Sequence, residues 1–260
     1  MVLQGLEWTF NEVAAAYDRW SPGYPPALYR DMFAYKAIGP SSRVVEIGIG
    51  TGQASVPVLE TGCALTAVEY GDKLAAFTRE TFRGYQNLTI VNLPFQNFEC
   101  GDGSADWIYA AGAFHWIPEE LGYAKVFRLL KPGGAFARFA KHPYYREGQE
   151  ALYQAIQEVY REYMPYSAPT AEYGEEDAKR RAALPVKYGF TDTAYKLYDR
   201  KRVTTSQEYI GLIATQSDHI VLAEDKRQGF YGGIKDAIDR YGGMITLHDT
   251  IDLELARKPG

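Results

Sequence analysis

The densest chemical signal in the chain lies in residues 44–52. The apolar run Val44-Val45-Glu46-Ile47 enters three glycines at alternate positions, Gly48, Gly50 and Gly52, and a helical pattern follows. Glycine lets the backbone turn sharply and lets a ligand approach without a Cβ in the way, while a helix beyond it presents free N–H groups. A nucleotide-like ligand suits such a loop. The third glycine falls at position 52 and Gln53 follows it, so the G-x-G-x-x-G spacing of dinucleotide sites is missed by one residue. Glu46 stands where its charge would repel a pyrophosphate and where a ligand with a cationic end is better matched. Glu69, 21 residues on from Gly48, ends a second apolar run. A carboxylate there can accept from both hydroxyls of an adenosine ribose and disfavours a 2′-phosphate. Read alone, Glu69 is equally a surface acid at a strand end; its register with the glycine loop favours the ligand.

The elements that must position these residues follow a β-α rhythm. Short runs rich in Val and Ile predict strands over 43–47, 64–69, 88–91, 106–110 and 135–140, which is the pattern of a parallel sheet. Helices are expected over 53–61, 73–82 and 119–130, the last stopped by Lys131-Pro132-Gly133-Gly134. Residues 1–38 read as an N-terminal helical lid broken at Ser21-Pro22-Gly23-Tyr24-Pro25-Pro26, and 39–143 as the ligand-binding core. The rhythm stops over 144–188, where Leu152, Ile156, Val159, Tyr160 and Tyr163 mark one helical face in 146–163. This stretch reads as a helical insertion capping the substrate end, rich in tyrosines that line a pocket or pack between segments. Residues 189–260 complete the sheet, with a strand over 193–203, a helical stretch over 206–241 ended by Gly242-Gly243, and a strand over 244–255.

Composition narrows the partners. With 46% hydrophobic residues the 260-residue chain can bury a large core, and a net charge of −5 argues against a phosphate backbone as partner. The basic runs at 179–181 and 200–202 lie beside acids and read as solvated faces. Cys63 and Cys100 lack zinc-site spacing, so no metal and a reducing compartment are expected. Residues 1–7 do not resemble a secretion signal and no apolar run is long enough to span a bilayer, so the expectation is a cytoplasmic protein without a membrane partner.

Together, the glycine loop with Glu46, the acid Glu69, Leu93-Pro94-Phe95-Gln96-Asn97-Phe98, Asp102-Gly103-Ser104-Ala105-Asp106 and Arg128-Leu129-Leu130-Lys131-Pro132-Gly133-Gly134 resemble the class I S-adenosylmethionine (SAM)-dependent methyltransferases over residues 17–143. The segments Phe10-Asn11, Ala15-Ala16-Tyr17-Asp18, Ser21-Pro22-Gly23-Tyr24-Pro25 and Ala113-Phe114-His115-Trp116 are similar to its small-molecule branch of trans-aconitate methyltransferase-like proteins, although Ser21 stands where members commonly carry Arg. The resemblance implies an α/β, Rossmann-like, seven-stranded mixed sheet, five parallel strands followed by a C-terminal antiparallel hairpin. It implies SAM as cofactor, S-adenosylhomocysteine (SAH) as product and a small-molecule acceptor. It also implies cofactor contacts at Glu46, Gly48, Gly50, Gly52, Gln53, Glu69, Tyr70, Phe95, Gln96 and Ala111.

Methyl transfer from a sulfonium needs alignment more than a base. If a base serves, His115 is the first candidate, because it follows the fourth strand at the carboxyl end of the sheet, where ligands of such folds gather. Aromatic packing is its other reading. Tyr17, on the lid, is the second candidate. His142, His219 and His248 are scattered and carry no assigned chemistry. Two rival readings remain, an NAD-dependent oxidoreductase and a SAM-binding regulatory module without transferase activity.

Overall fold

Val44, Val45, Glu46 and Ile47 are all buried, as expected of a strand covered on both faces at the centre of a parallel sheet. In the computed structural model the described residues are 9, 11, 13–145, 148–167 and 171–260. Residues 1–8, Phe10 and Arg146, which entered the sequence readings above, lie outside the described residues. Seven strands, β1 (Arg43–Ile47), β2 (Ala64–Glu69), β3 (Leu88–Asn92), β4 (Ala105–Ala111), β5 (Leu130–Tyr144), β6 (Thr191–Thr205) and β7 (Met244–Arg257), form one sheet in the order β3-β2-β1-β4-β5-β7-β6. The first five run parallel, and β7 pairs antiparallel with both β5 and β6, which is the expected mixed sheet. The strand order reverses between β1 and β4, so a crevice opens there beyond the carboxyl ends.

Both sheet faces are covered. On one, Leu28 and Met32 of α2 (Pro26–Tyr35) and Val58 and Leu59 of α3 (Val56–Leu59) meet Trp107, Tyr109, Phe139 and Leu253. On the other, Tyr123, Val126 and Leu129 of α5 (Glu119–Leu129) meet Val45, Ile47, Ile108 and Phe136. Pro opens α2 at its first turn, where a missing N–H costs nothing. α1 (Ala14–Trp20) packs against α4 (Asp72–Thr81) and α8 (Ser206–Ile213). Asn11 pins the entry to α1 by donating to Asp72 at 2.7 Å and accepting from the Leu74 N–H at 3.0 Å.

Three elements depart from the sequence reading for local reasons. The helix expected over 53–61 shrinks to α3, because Pro57 has no N–H and fits only an opening turn. β5 runs past position 140 to Tyr144, because the long β7 pairs with it as far as Tyr144 opposite His248. The stretch 206–241 divides into α8, α9 (Ser217–Ile220) and α10 (Glu224–Arg240). Extended backbone at Gln216 breaks the first junction, and the buried His219 Nδ1 bonds the Ile213 carbonyl across it at 2.8 Å.

In 144–188, α6 (Glu150–Tyr163) packs on α10 around Phe230, Ile234 and Ile156, while α7 (Glu175–Ala182) lies against β6 and β7. Among the described residues no helix is long and apolar enough to cross a membrane, and no three His, Cys, Asp or Glu side chains group as metal ligands.

Candidate active site

The loop after β1 is held by a single acid. Gly50 N–H donates to Glu69 Oε2 at 2.9 Å, and Gly71 N–H donates to Glu69 Oε1 at 2.8 Å. On the loop's other side Thr78 Oγ1 of α4 donates to Gly50 O at 2.5 Å. Glu69 is 6% exposed, and its burial raises its pKa against the opposing pull of these backbone N–H groups. The three glycines do different work. Gly48, at φ 71°, leaves no room for a side chain, since a Cβ would stand 2.5 Å from Ala113 Cβ. A Cβ on Gly50, at φ 57°, would meet nothing within 4 Å, so the loop faces open space there.

That space is a cavity of about 190 Å³ across the carboxyl ends of β1, β2 and β4. Of the sequence candidates it brings together Gly48, Gly50 and Gln53 from the glycine loop, Glu69 and Tyr70 after β2, Phe95 and Gln96 after β3, Ala111 of β4, and Tyr17 of α1. Phe95 is fixed by its stack on Phe98, with centroids 6.3 Å apart, and Lys125 Nζ donates to the Gln96 carbonyl at 2.8 Å. Tyr17 lies close enough to Glu69 for that carboxylate to raise its pKa, although burial is the larger cause.

Three candidates stand outside the lining. Glu46 turns onto the sheet face, where its Oε2 accepts from Ser55 Oγ at 2.6 Å and Tyr109 OH at 2.7 Å. The side chain is fully buried, and desolvation pushes its pKa up to about 7. The register dictates this, since Glu46 shares its sheet face with Val44 and, across the β1–β4 pair, with Tyr109. Gly52, at φ 87°, is held close against Phe82, since a Cβ would fall 2.4 Å from that ring.

His115 is the third. It sits in a 3₁₀ turn, Phe114–Trp116, that sends Phe114 into the core and Trp116 to the cavity wall. The residue is exposed, with its ring 4.8 Å from the Trp116 ring. Desolvation by the surrounding protein, then the charges of Arg138, Arg181 and His142, push its pKa down to about 4. Those three side chains belong to a largely buried ionic network. Arg138 and Arg181 converge on Glu254 at 3.2 and 3.1 Å, Arg181 and His142 on Asp252 at 3.2 and 3.1 Å, and Tyr173 stacks on His142 at 3.9 Å.

Sequence reasoning missed Lys141, Tyr24 and Trp116, which also line the cavity. Trp116 and Tyr24 stood in motifs already singled out, but only the fold aims them inward. Lys141 lay one residue beyond the expected strand, so nothing marked it.

This strand order, with a crevice at its reversal and an acid bracing a glycine loop, defines a Rossmann-like cofactor-binding domain. A family model described as a methyltransferase domain matches residues 44–134. An uncharacterized methyltransferase of Geobacillus kaustophilus is 31% identical over 160 residues, covering 58% of this chain and 72% of that protein. An uncharacterized methyltransferase of Mycobacterium tuberculosis is 26% identical over 129 residues, half of each chain. The chain thus spans about half the length of several of the curated relatives it matches. Among solved structures, phosphoethanolamine N-methyltransferase 2 of Haemonchus contortus, in complex with phosphomonomethylethanolamine and SAH, aligns with a TM-score of 0.57 at 15% identity, covering 96% of this chain and 58% of that one. The chain belongs to the class I SAM-dependent methyltransferase family.

Two substitutions separate packing from binding at this loop. Gly52→Ala combines a left-handed φ with a clash on Phe82 and is expected to cost about 1–3 kcal/mol in urea unfolding; an unchanged midpoint would mean that Phe82 yields freely. Glu46 binds a proton more tightly when folded, so its contribution is fully present below the ordinary carboxylate pKa and is lost as pH rises through about 7. Glu46→Gln should therefore be more stable than the parent at pH 8, by up to about 3 kcal/mol, with little difference near pH 4. A less stable variant at pH 8 would contradict the raised pKa.

Proposed function

We propose that the chain holds SAM in this cavity and transfers its methyl group to a small-molecule acceptor. The observation that carries the reading is Glu69, a buried carboxylate lining the cavity whose two oxygens are oriented by Gly50 and Gly71 and retain lone pairs for two ribose hydroxyls. The residues fit the cofactor: open space in front of Gly50 admits its adenosyl chain, and Phe95 and Gln96 offer an apolar face and an amide to a purine. Gly48, Gln53, Tyr70 and Ala111 complete the wall. When bound, SAM supplies an activated methyl group on a cationic sulfur.

The chain's own task is alignment and exclusion of water, which can lower a barrier by about 7–11 kcal/mol in favourable cases. We assign the acceptor to the side of Trp116 and His115. Desolvation holds the His115 pKa down to about 4, so the imidazole is unprotonated at neutral pH but a weak base, and we assign it to accept a hydrogen bond from an acceptor hydroxyl or amine and orient it. Tyr17, beside Glu69, closes the cofactor side from the N-terminal segment 1–38, which acts as a lid over the core 39–143. Segment 144–188 brings Tyr173 and Arg181 to the ionic network beside His115 and caps the acceptor, while 189–260 completes the sheet. A net charge of −5 favours a small acceptor over nucleic acid, and the two free cysteines suit a reducing cytoplasm.

Calorimetric titration tests the assignment. SAH should bind and NAD should not, and Glu69→Ala should weaken SAH by about 1–3 kcal/mol through the loss of charged hydrogen bonds. Unchanged affinity in the variant would displace the ribose from Glu69, and binding of NAD in place of SAH would overturn the reading.

A further inference from the structure

The far wall of the cavity, on β5, carries more positive charge than the protein itself neutralises. Lys141 lines the cavity, and its ammonium donates to Ser21 Oγ at 2.9 Å and to Pro22 O at 2.7 Å, both uncharged. Its Nζ also lies 5.0 Å from the centre of the Tyr24 ring. Behind it, Arg200 and Arg202 of β6 both turn onto Asp249 of β7, at 3.0 and 3.2 Å, and Arg200 donates to Gly23 O at 2.7 Å. Asp249 is 3% exposed, and the two guanidinium side chains are 19% and 22% exposed. Three cations therefore share one carboxylate in a place largely screened from water.

Unpaired charge in such a setting is costly. The cost shows on the lysine: burial, then Arg200 and Arg202, outweigh Asp249 and bring its pKa down to about 7. Two tyrosines of the cavity, Tyr24 and Tyr17, lie on this side, and burial, the largest cause in each, raises both pKa values above the ordinary tyrosine value and holds them neutral. Both guanidiniums are committed to Asp249, and only Lys141 of the three cations lines the cavity, so the unmet demand is for a single negative charge with a hydrogen-bond acceptor. Position agrees. Glu69 stands on β2 and Lys141 on β5, three strand spacings apart in the order β2-β1-β4-β5, roughly 14 Å. A ligand with its ribose at Glu69 extends across β1 and β4 toward this corner.

We propose that Lys141, backed by Arg200 and Arg202, forms a carboxylate-binding corner of the cavity. The carboxylate is that of the cofactor's amino-acid end or one carried by the acceptor. The proposal rests on the cavity being the cofactor site, and its test separates the two. SAH and 5′-methylthioadenosine, which keeps the adenosine and thioether but lacks the amino-acid part, are titrated into the parent protein, Lys141→Met and Lys141→Arg. Succinate is then titrated into the SAH-loaded proteins, and circular dichroism checks that each variant is folded.

If the corner takes the cofactor, Lys141→Met weakens SAH by about ten- to a hundredfold, leaves methylthioadenosine unchanged, and Lys141→Arg restores most of the loss. If it takes the acceptor, SAH is unaffected, and succinate binds the loaded parent and Lys141→Arg but not Lys141→Met. In either case binding at pH 8 draws a proton onto Lys141, seen as a dependence of the heat on the buffer's ionisation enthalpy that is absent in Lys141→Met. Equal binding of SAH and of succinate by the parent and Lys141→Met overturns the proposal. Failure of the parent itself to bind SAH and methylthioadenosine overturns the cofactor reading and this corner with it, and is recognised by the same failure in all three proteins.

Discussion

One carboxylate receives two backbone N–H groups from different loops, and the cavity's geometry follows from that arrangement. Glu69 takes the Gly50 N–H from the loop after β1 and the Gly71 N–H from the turn into α4. Each of these donors would otherwise face the open end of the sheet and need water or a ligand. Bound to Glu69, they fix the separation of the two loops and aim the carboxylate along the crevice. Thr78 secures the same glycine from behind, so the loop is gripped at both its N–H and its C=O. A ligand that uses Glu69 meets a preorganised acceptor, which limits the ordering cost of binding.

The two faces of the sheet then divide the labour. On the face of Val44 and Tyr109, the buried Glu46 ties β1 to β4 and to Ser55, and farther along the same face Lys141 edges the cavity with Asp249 behind it. On the face of Ile47 and Phe136, Arg138, His142, Asp252 and Glu254 build the ionic network behind His115. Pairing of β5 with β7 brings both charged groups within a few residues of each other on adjacent strands, one alternating outward to each side. The antiparallel pair that closes the sheet therefore supplies side chains to the cavity region as well as a covered edge.

Much of this was legible in the sequence because it is local. The apolar runs ending at Ile47 and Glu69 mark the strands and their exits, and the family pattern those runs resemble implies seven strands, five parallel and then an antiparallel hairpin. What escaped was non-local. The motif at Glu46 says nothing of Tyr109, whose hydroxyl the strand's alternation and the β1–β4 register bring to that carboxylate. Nor does the glycine spacing show that Phe82, thirty residues after Gly52, occupies the space a side chain there would need. Lys141 is an ordinary lysine in a linear reading; its character comes from Ser21, Arg200, Arg202 and Asp249, which arrive from three other parts of the chain.

A crystal structure of the chain with SAH tests the central claim most directly. The ribose hydroxyls should lie within hydrogen-bond distance of the Glu69 carboxylate, with the purine against Phe95 and Gln96 and the amino-acid end directed past Ala111 toward β5. SAH bound away from Glu69, or with its amino-acid end at Phe95 and its purine toward Lys141, would contradict the assignment of the cavity.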